Sequence, residues 1–268
     1  MGYLAVHRHG SLHDFHRDAE NPLEVRLRLK GLLQTPEDLR TRNHYLSEAL
    51  ARLIMAYARH ATGRGLDVGC QAGELTDEVA LRTPQDWVGI DPRFSEPDRS
   101  PAGRPLMPGW GHELPFPDKT FDVVLLANVY EHIDPGFRDA SLAEAHRVLV
   151  PGGILVGQLP NPFFPLESHS RLPLMGYLPP TMRRWYWRLS PVHWDMDFHS
   201  VTVIDVRRRA LRAGFESMYV RGFNYPPDAL PRPVQTLAAR LSLLWTFVPW
   251  AWQFAFRRGP EEQGPDVR

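Results

Sequence analysis

The sequence predicts an α/β domain in which a mostly parallel sheet is doubly wound, with helices on both faces, and three stretches carry that prediction. Gly65-Leu-Asp-Val-Gly-Cys-Gln-Ala-Gly-Glu-Leu-Thr76 is a short apolar run, a glycine-punctuated turn and an amphipathic stretch with Leu75, Val79 and Ala80 on one face. That pattern reads as strand, tight loop, helix. Trp87-Val-Gly-Ile-Asp91 is a second short apolar strand, ending in a carboxylate about 20 residues after the first strand. Phe121-Asp-Val-Val-Leu-Leu-Ala127 is an almost uninterrupted apolar run, as expected of a central parallel strand covered on both faces.

The first two stretches also predict a ligand. Gly69 and Gly73 let backbone approach a bound molecule without a Cβ clash, and the first helical N–H groups point into the same crevice. Asp91 is placed to grip a ribose diol through two hydrogen bonds to one charged acceptor. A dinucleotide loop would want Gly-x-Gly-x-x-Gly, whereas this one offers Gly69-x-x-x-Gly73 after an acidic Asp67. An adenosyl cofactor without a pyrophosphate fits better.

Four blocks follow one another in order: Leu66 to Gly73, Val88 to Asp91, Leu114 to His132, and Arg147-Val-Leu-Val-Pro-Gly-Gly153. In these blocks, and over roughly residues 62 to 223, the chain resembles the class I S-adenosylmethionine-dependent methyltransferases of the type 11 family. The resemblance implies a Rossmann-like sheet of seven strands with an antiparallel last strand. It also implies S-adenosyl-L-methionine as cofactor, held by Asp67, Gly69, Cys70, Gln71, Gly73 and Asp91. Relatives commonly carry an Asp that bonds the adenine amino group shortly before a Leu-Pro-Phe like Leu114-Pro115-Phe116, and counting back puts Trp110 there. An indole can wall the adenine while a backbone N–H of Trp110 or Gly111 reads the ring, although the side chain cannot accept from the amino group. A core role for Trp110 is the competing reading.

At 268 residues with 43% hydrophobic content, one α/β domain with insertions is expected. Basic and acidic residues balance at 31 each, which gives no general argument for nucleic acid or an acidic surface as partner. Cys70 is the single cysteine, which excludes a disulfide framework and agrees with a reducing compartment. No apolar h-region interrupts the first 30 residues, so a cytoplasmic protein is expected.

In chain order, residues 1–35 form a polar, histidine-rich extension (His7, His9, His13, His16) whose ligand spacing does not recur, so a solvated leader is favoured over a metal site. The domain proper is expected over 36–258. Thr35-Pro36-Glu-Asp38 is a helix start, and Leu46, Leu50, Leu53, Ile54 and Tyr57 mark one face of a helix ending near Gly63. The proline-rich run after Asp91 predicts a short or missing crossover helix, followed by a brief third strand at Leu106 and Met107. After the fourth strand comes Asn128-Val-Tyr-Glu-His132, at the carboxyl end where open α/β sheets place ligands. Asn128 is therefore placed near the cofactor's methionine end, while the Glu131-His132 pair resembles the family's and can equally brace the turn. A helix over Arg138 to Val150, stopped by Pro151-Gly-Gly153, leads to a fifth strand at Ile154 to Leu159. Residues 161–200 read as an aromatic lid insertion. Met182, Trp185 and Leu189 share a helical face with arginines on the others, a pattern that also suits peripheral membrane contact. Thr202 to Ala213 is a helix capped by Ser200 or Thr202, Phe215 to Phe223 the sixth strand, and Val234 to Phe247 an amphipathic helix. Trp250 to Phe256 alternates with period two as a seventh strand, antiparallel at the sheet edge, and 259–268 is a disordered tail.

The functional expectation is methyl transfer from S-adenosylmethionine to a small or lipid-linked organic acceptor, and no basic stripe points to nucleic acid. The task is alignment of nucleophile, methyl carbon and sulfur in a dry site. For a hydroxyl acceptor His132 and His199 are the candidate bases. Asn161, Phe163, Tyr177 and Trp194 are the candidate acceptor contacts. No obligatory metal is expected, since Asn128 supplies an amide where a first carboxylate would stand and only His193 or His199 is counted as able to complete a set. A non-catalytic binding or scaffold protein is the alternative, on the strength of Gln71 in the loop and Trp110 at the adenine.

Overall fold

The computed structural model describes residues 36–58, 62–170, 172–190, 198–226 and 247–260. Its elements are α1 (Pro36–Tyr57), β1 (Gly63–Val68), α2 (Glu74–Ala80), β2 (Gln85–Asp91), β3 (Asp98–Arg99), β4 (Pro105–Pro108), β5 (Phe121–Ala127), α3 (Arg138–Val148), β6 (Leu149–Pro160), α4 (Pro180–Trp187), α5 (Val203–Arg212), β7 (Phe215–Phe223) and β8 (Ala251–Arg258), with single 3-10 turns at Tyr130–His132 and Met175–Tyr177. The sheet order is β3-β4-β2-β1-β5-β6-β8-β7. β1 pairs in parallel with β2 and β5, and β5 with β6, while β8 runs antiparallel to both its neighbours.

The apolar alternation along the central strands explains why both faces are covered. Leu66, Val68, Val124 and Leu126 enter one core with Leu142, Ala145 and Val148 of α3 and Val206 and Ala210 of α5. Val123 and Leu125 enter the other with Leu46, Leu50, Leu53 and Ile54 of α1 and Val79 of α2. A strand covered on both sides cannot afford polar positions on either, hence the run read from sequence. The cap of α5 is Thr202, whose hydroxyl accepts from the Asp205 N–H at 3.3 Å. Arg258 donates to the carbonyls of His146, Arg147 and Leu149, placing a cation at the C-terminal end of α3.

Three expectations are corrected. The sheet has eight strands, because the two-residue β3 folds back antiparallel on β4. No helix forms in the proline-rich run there. Asp77 of α2 ties it down instead, accepting from the Ser100 hydroxyl at 2.6 Å and the Ala102 N–H at 2.9 Å. β8 does not lie at the edge but is inserted between β6 and β7: Gln253, Phe254, Ala255 and Phe256 are all buried, so the period-two pattern identified a strand without saying how many neighbours it has. Finally, α3 ends at Val148 because Leu149 is already extended (ψ 143°), and Pro151-Gly-Gly153 is absorbed into β6 where its register against β5 shifts.

The helix expected over 234–247 falls almost wholly outside the described residues, as do the N-terminal extension, the tail after 260, His193 and Trp194. No helix among the described residues is long and apolar enough to cross a membrane.

Candidate active site

The order of parallel strands reverses between β1 and β5, and an open crevice lies at their carboxyl ends. It is open to solvent and is lined by Asp67, Gly69, Cys70, Gln71 and Ala72 from β1 and its loop, Glu74 and Leu75 from the start of α2, Ala127 and Asn128 at the end of β5, and Arg42, Asn43 and Leu46 from α1. The α1 residues were not foreseen, because the helix was assigned only a packing role.

The loop has the backbone the sequence implied. Gly69 and Gly73 sit at φ 76° and 80°, and a Cβ would fall 2.6 Å from Val129 Cγ2 in the first case and 2.7 Å from Ser100 Cβ in the second. Only glycine meets both demands without displacement. Gln71 also adopts the left-handed region, at φ 52°, where relatives of this pattern carry no Cβ. Its N–H donates to Asp91 Oδ2 at 2.9 Å, so the loop and the strand-terminal acid are fastened to each other. Asp91 Oδ1 accepts from the backbone N–H and the Nε of Arg93, each at 3.0 Å. The carboxylate is thereby fixed in orientation, and a diol must share it with Arg93 or displace that exposed guanidinium.

Asp67 is buried, and its Oδ2 accepts from the Thr76 hydroxyl at 2.6 Å. Burial pushes its carboxyl up to about 7, the Thr76 hydrogen bond opposes this, and the Asp91 charge adds a smaller push upward. Cys70 is no nucleophile: burial first, then the charges of Asp67 and Asp91, drive its thiol far above its ordinary value, and its Sγ packs beneath Gly89. Trp110 is 46% exposed, which removes the core reading. It bridges to Glu113 and, with Gly111 beside Val68, stands outside the crevice lining.

Asn128 takes φ 55°, and its Oδ1 accepts from Gln158 Nε2 at 3.2 Å. Gln158 Nε2 also donates to the Tyr225 hydroxyl at 2.9 Å, and its Oε1 accepts from Gln253 at 3.1 Å. This buried amide network crosses three strands. Its glutamines were passed over in the sequence because isolated glutamines in apolar strands give no local signal.

The acceptor candidates divide. Phe163 and Tyr177 are exposed neighbours, their rings 5.5 Å apart, with the Tyr177 hydroxyl donating to the Phe163 carbonyl at 2.8 Å. Asn161 is buried and committed internally: it donates to the Pro249 carbonyl at 2.7 Å and accepts from the Phe163 N–H at 3.1 Å, which makes it a brace rather than an open contact. Phe164, Leu172 and Met175 of the same segment are buried, and Phe164 joins the α1-side core with its ring centroid 4.6 Å from that of Trp250. α4 buries none of its side chains, and Met182, Trp185 and Leu189 are exposed.

His132 and His199 reach the same corner: the His199 N–H donates to the Glu131 carbonyl at 2.7 Å. His169, which sequence reasoning did not single out, arrives there from the 161–190 segment with its ring 5.2 Å from that of His132.

A family model for a methyltransferase domain matches residues 66–157. An uncharacterized methyltransferase of Mycobacterium tuberculosis is 35% identical over 119 residues, 43% of this chain and 46% of that protein. A fatty-acid O-methyltransferase of Mycolicibacterium smegmatis is 36% identical over 116 residues, 40% of this chain and 41% of its own. The chain thus spans under half the length of these relatives. Among solved structures, an S-adenosylmethionine-dependent methyltransferase from Mesorhizobium loti superposes with a TM-score of 0.52 at 18% identity, over 79% of this chain and all of that one, a likeness of fold. Residues 66–157 thus carry the likeness to a methyltransferase domain, and the sheet around them has the fold of the solved S-adenosylmethionine-dependent methyltransferase.

Proposed function

We propose that the protein transfers a methyl group from S-adenosylmethionine to a small, largely apolar or lipid-linked organic acceptor. The observation that carries this reading is a crevice lined by Asp67 and Gln71, the latter fastened to Asp91, in a chain whose 161–190 segment leaves Phe163, Tyr177, Met182, Trp185 and Leu189 exposed. The name of the Mycolicibacterium relative agrees with an acceptor of that kind.

The residues present fit the cofactor. Glycine at 69 and 73 keeps the crevice floor free of side chains, Asp91 is oriented for a diol, and Asp67 and Asn128 stand at the opposite end. Bound S-adenosylmethionine supplies a methyl group activated by sulfonium sulfur, which keeps the C–S electron pair as the acceptor–methyl bond forms. The chain's part is to hold the two reactants in line and exclude water, with Asn128, itself fixed by Gln158, at the junction. For a hydroxyl acceptor the departing proton needs a base, and His132 and His199 lie in that corner.

The scaffold alternative rests on Gln71 and Trp110. Gln71 spends its N–H on Asp91 and leaves the crevice open, which weakens the first support. The test is incubation with cofactor carrying a trideuterated methyl group and fractionated cell extract. Label in an apolar or lipid fraction is expected. Label confined to polar metabolites overturns the acceptor class, and cofactor binding without any labelled product favours the scaffold.

A further inference from the structure

Glu131 sits in the 3-10 turn after β5 and is 3% exposed, yet both of its carboxylate oxygens are buried without a hydrogen-bond partner among the described residues. A carboxylate removed from water in that way is costly unless something pairs with it. Facing it are His132, its neighbour in the same turn, and His169 from the segment beyond β6. One ligating atom from each of the three lies within 4.8 Å of the others. Donors at 2.0–2.2 Å from a common ion stand roughly 3.5 Å apart, so side-chain rotations of about 1 Å complete the approach.

The orientation of His169 is the second, independent observation. Its Nδ1 lies 2.7 Å from Glu167 Oε1, and because an ionised carboxylate can only accept, Nδ1 carries the proton. Nε2 is left as the lone-pair nitrogen. Glu167 is itself buried and held by the backbone N–H groups of His169 and Ser170, while the Phe198 ring stacks on the imidazole at 4.2 Å. A carboxylate that orients a histidine is the outer arrangement found around metal-binding histidines.

We propose that Glu131, His132 and His169 bind one divalent transition cation of the zinc class. Two imidazoles and one carboxylate suit zinc, cobalt or iron(II), whereas magnesium and calcium favour sets made of oxygen. Three protein ligands leave the ion an open position, and Asn128, which lines the crevice, stands three residues before Glu131 in the chain. The expectation against an obligatory metal counted only His193 and His199 as completing histidines, and His169 takes that place. The inference does not depend on methyl transfer, since a cation can bind whether or not the chain is catalytic.

The test is titration of the chelator-stripped full chain with cobalt(II), followed by visible absorption, and with zinc by competition. Wild type is expected to take up a single tight equivalent, with absorption bands of a low-coordinate nitrogen and oxygen site. His169→Ala and Glu131→Gln should each weaken binding by at least ten-fold, and Glu167→Gln, which touches no ion, by about ten- to 100-fold. The N-terminal histidines remain in every variant, so binding by them appears as an unchanged background. Thermal unfolding and affinity for S-adenosylhomocysteine report whether each variant is folded; if Glu131→Gln fails to fold, the two His169-side variants decide. Wild-type affinity no tighter than that of a folded His169→Ala protein overturns the site, and it does so without touching the methyltransferase reading, which the S-adenosylhomocysteine measurement follows separately.

Discussion

The two ends of the crevice are built differently. At the proposed cofactor end, Asp67, Gln71 and Asp91 come from strand ends and one tight loop, and hydrogen bonds of 2.6 to 3.0 Å fasten Gln71 and Arg93 to Asp91 and Thr76 to Asp67. On the proposed function the acceptor end is the 161–190 segment, where buried Phe164, Leu172 and Met175 accompany exposed aromatic and aliphatic side chains. The difference teaches that one half of the site is set before any ligand arrives, while the other combines a fixed base with a surface that spends no stability on its shape.

The largest expected effect tests the fixed base. Phe164→Ala should destabilise the fold by about 3–5 kcal/mol in chemical denaturation, since it empties the contact with Trp250. A cost near zero would mean that the segment is not anchored there.

The buried acid at the cofactor end should show in the pH dependence of stability. Its carboxyl is raised from 3.8 to about 7, so the folded chain binds this proton more tightly than the unfolded one. Stability from this group is therefore full below about 4, is lost as pH rises through 4 to 7, and is flat above that, a decline on the order of 4 kcal/mol. Asp67→Asn should remove that slope in denaturation curves collected across the window, and a slope unchanged in the variant would assign it to another group.

A smaller effect sharpens the account of the loop. Gln71 holds φ 52° while its side chain is exposed, so Gln71→Gly should relieve backbone strain and raise stability by a few tenths to about 1 kcal/mol. Destabilisation would show instead that the glutamine side chain makes a needed contact. The smallest effect belongs to the outer layer: Trp185, 61% exposed, can become Ser at a cost within about 0.5 kcal/mol, yet on the proposed function the substitution should raise the apparent KM for an apolar acceptor. A large loss of stability would place Trp185 in a core rather than on a surface.

The same division decides what was legible in the sequence. The cofactor end was readable because its signals are local: a glycine loop after an apolar strand, a carboxylate closing the next one, and Phe121 to Ala127 as a strand covered on both faces. The acceptor end was not, because its geometry is made by distant pairs. His169 meets Glu131 and His132 only after the chain has passed through α3 and β6, and no spacing announces it. Arg42 enters the crevice, and the Gln158–Gln253–Tyr225 network reaches Asn128, by tertiary packing alone. β8 shows the same limit at the level of topology, since alternation marks a strand but does not say between which two strands it is inserted.

The central claim is that the loop fastened to Asp91 holds an adenosyl cofactor. Calorimetric titration of wild type and Asp91→Ala with S-adenosylhomocysteine tests it most directly. The account predicts micromolar binding by wild type and a loss of about 2 kcal/mol in the variant, the scale of a charge-assisted hydrogen bond removed from the ligand. Equal affinity in the two proteins, or a folded wild type that does not bind, would contradict it.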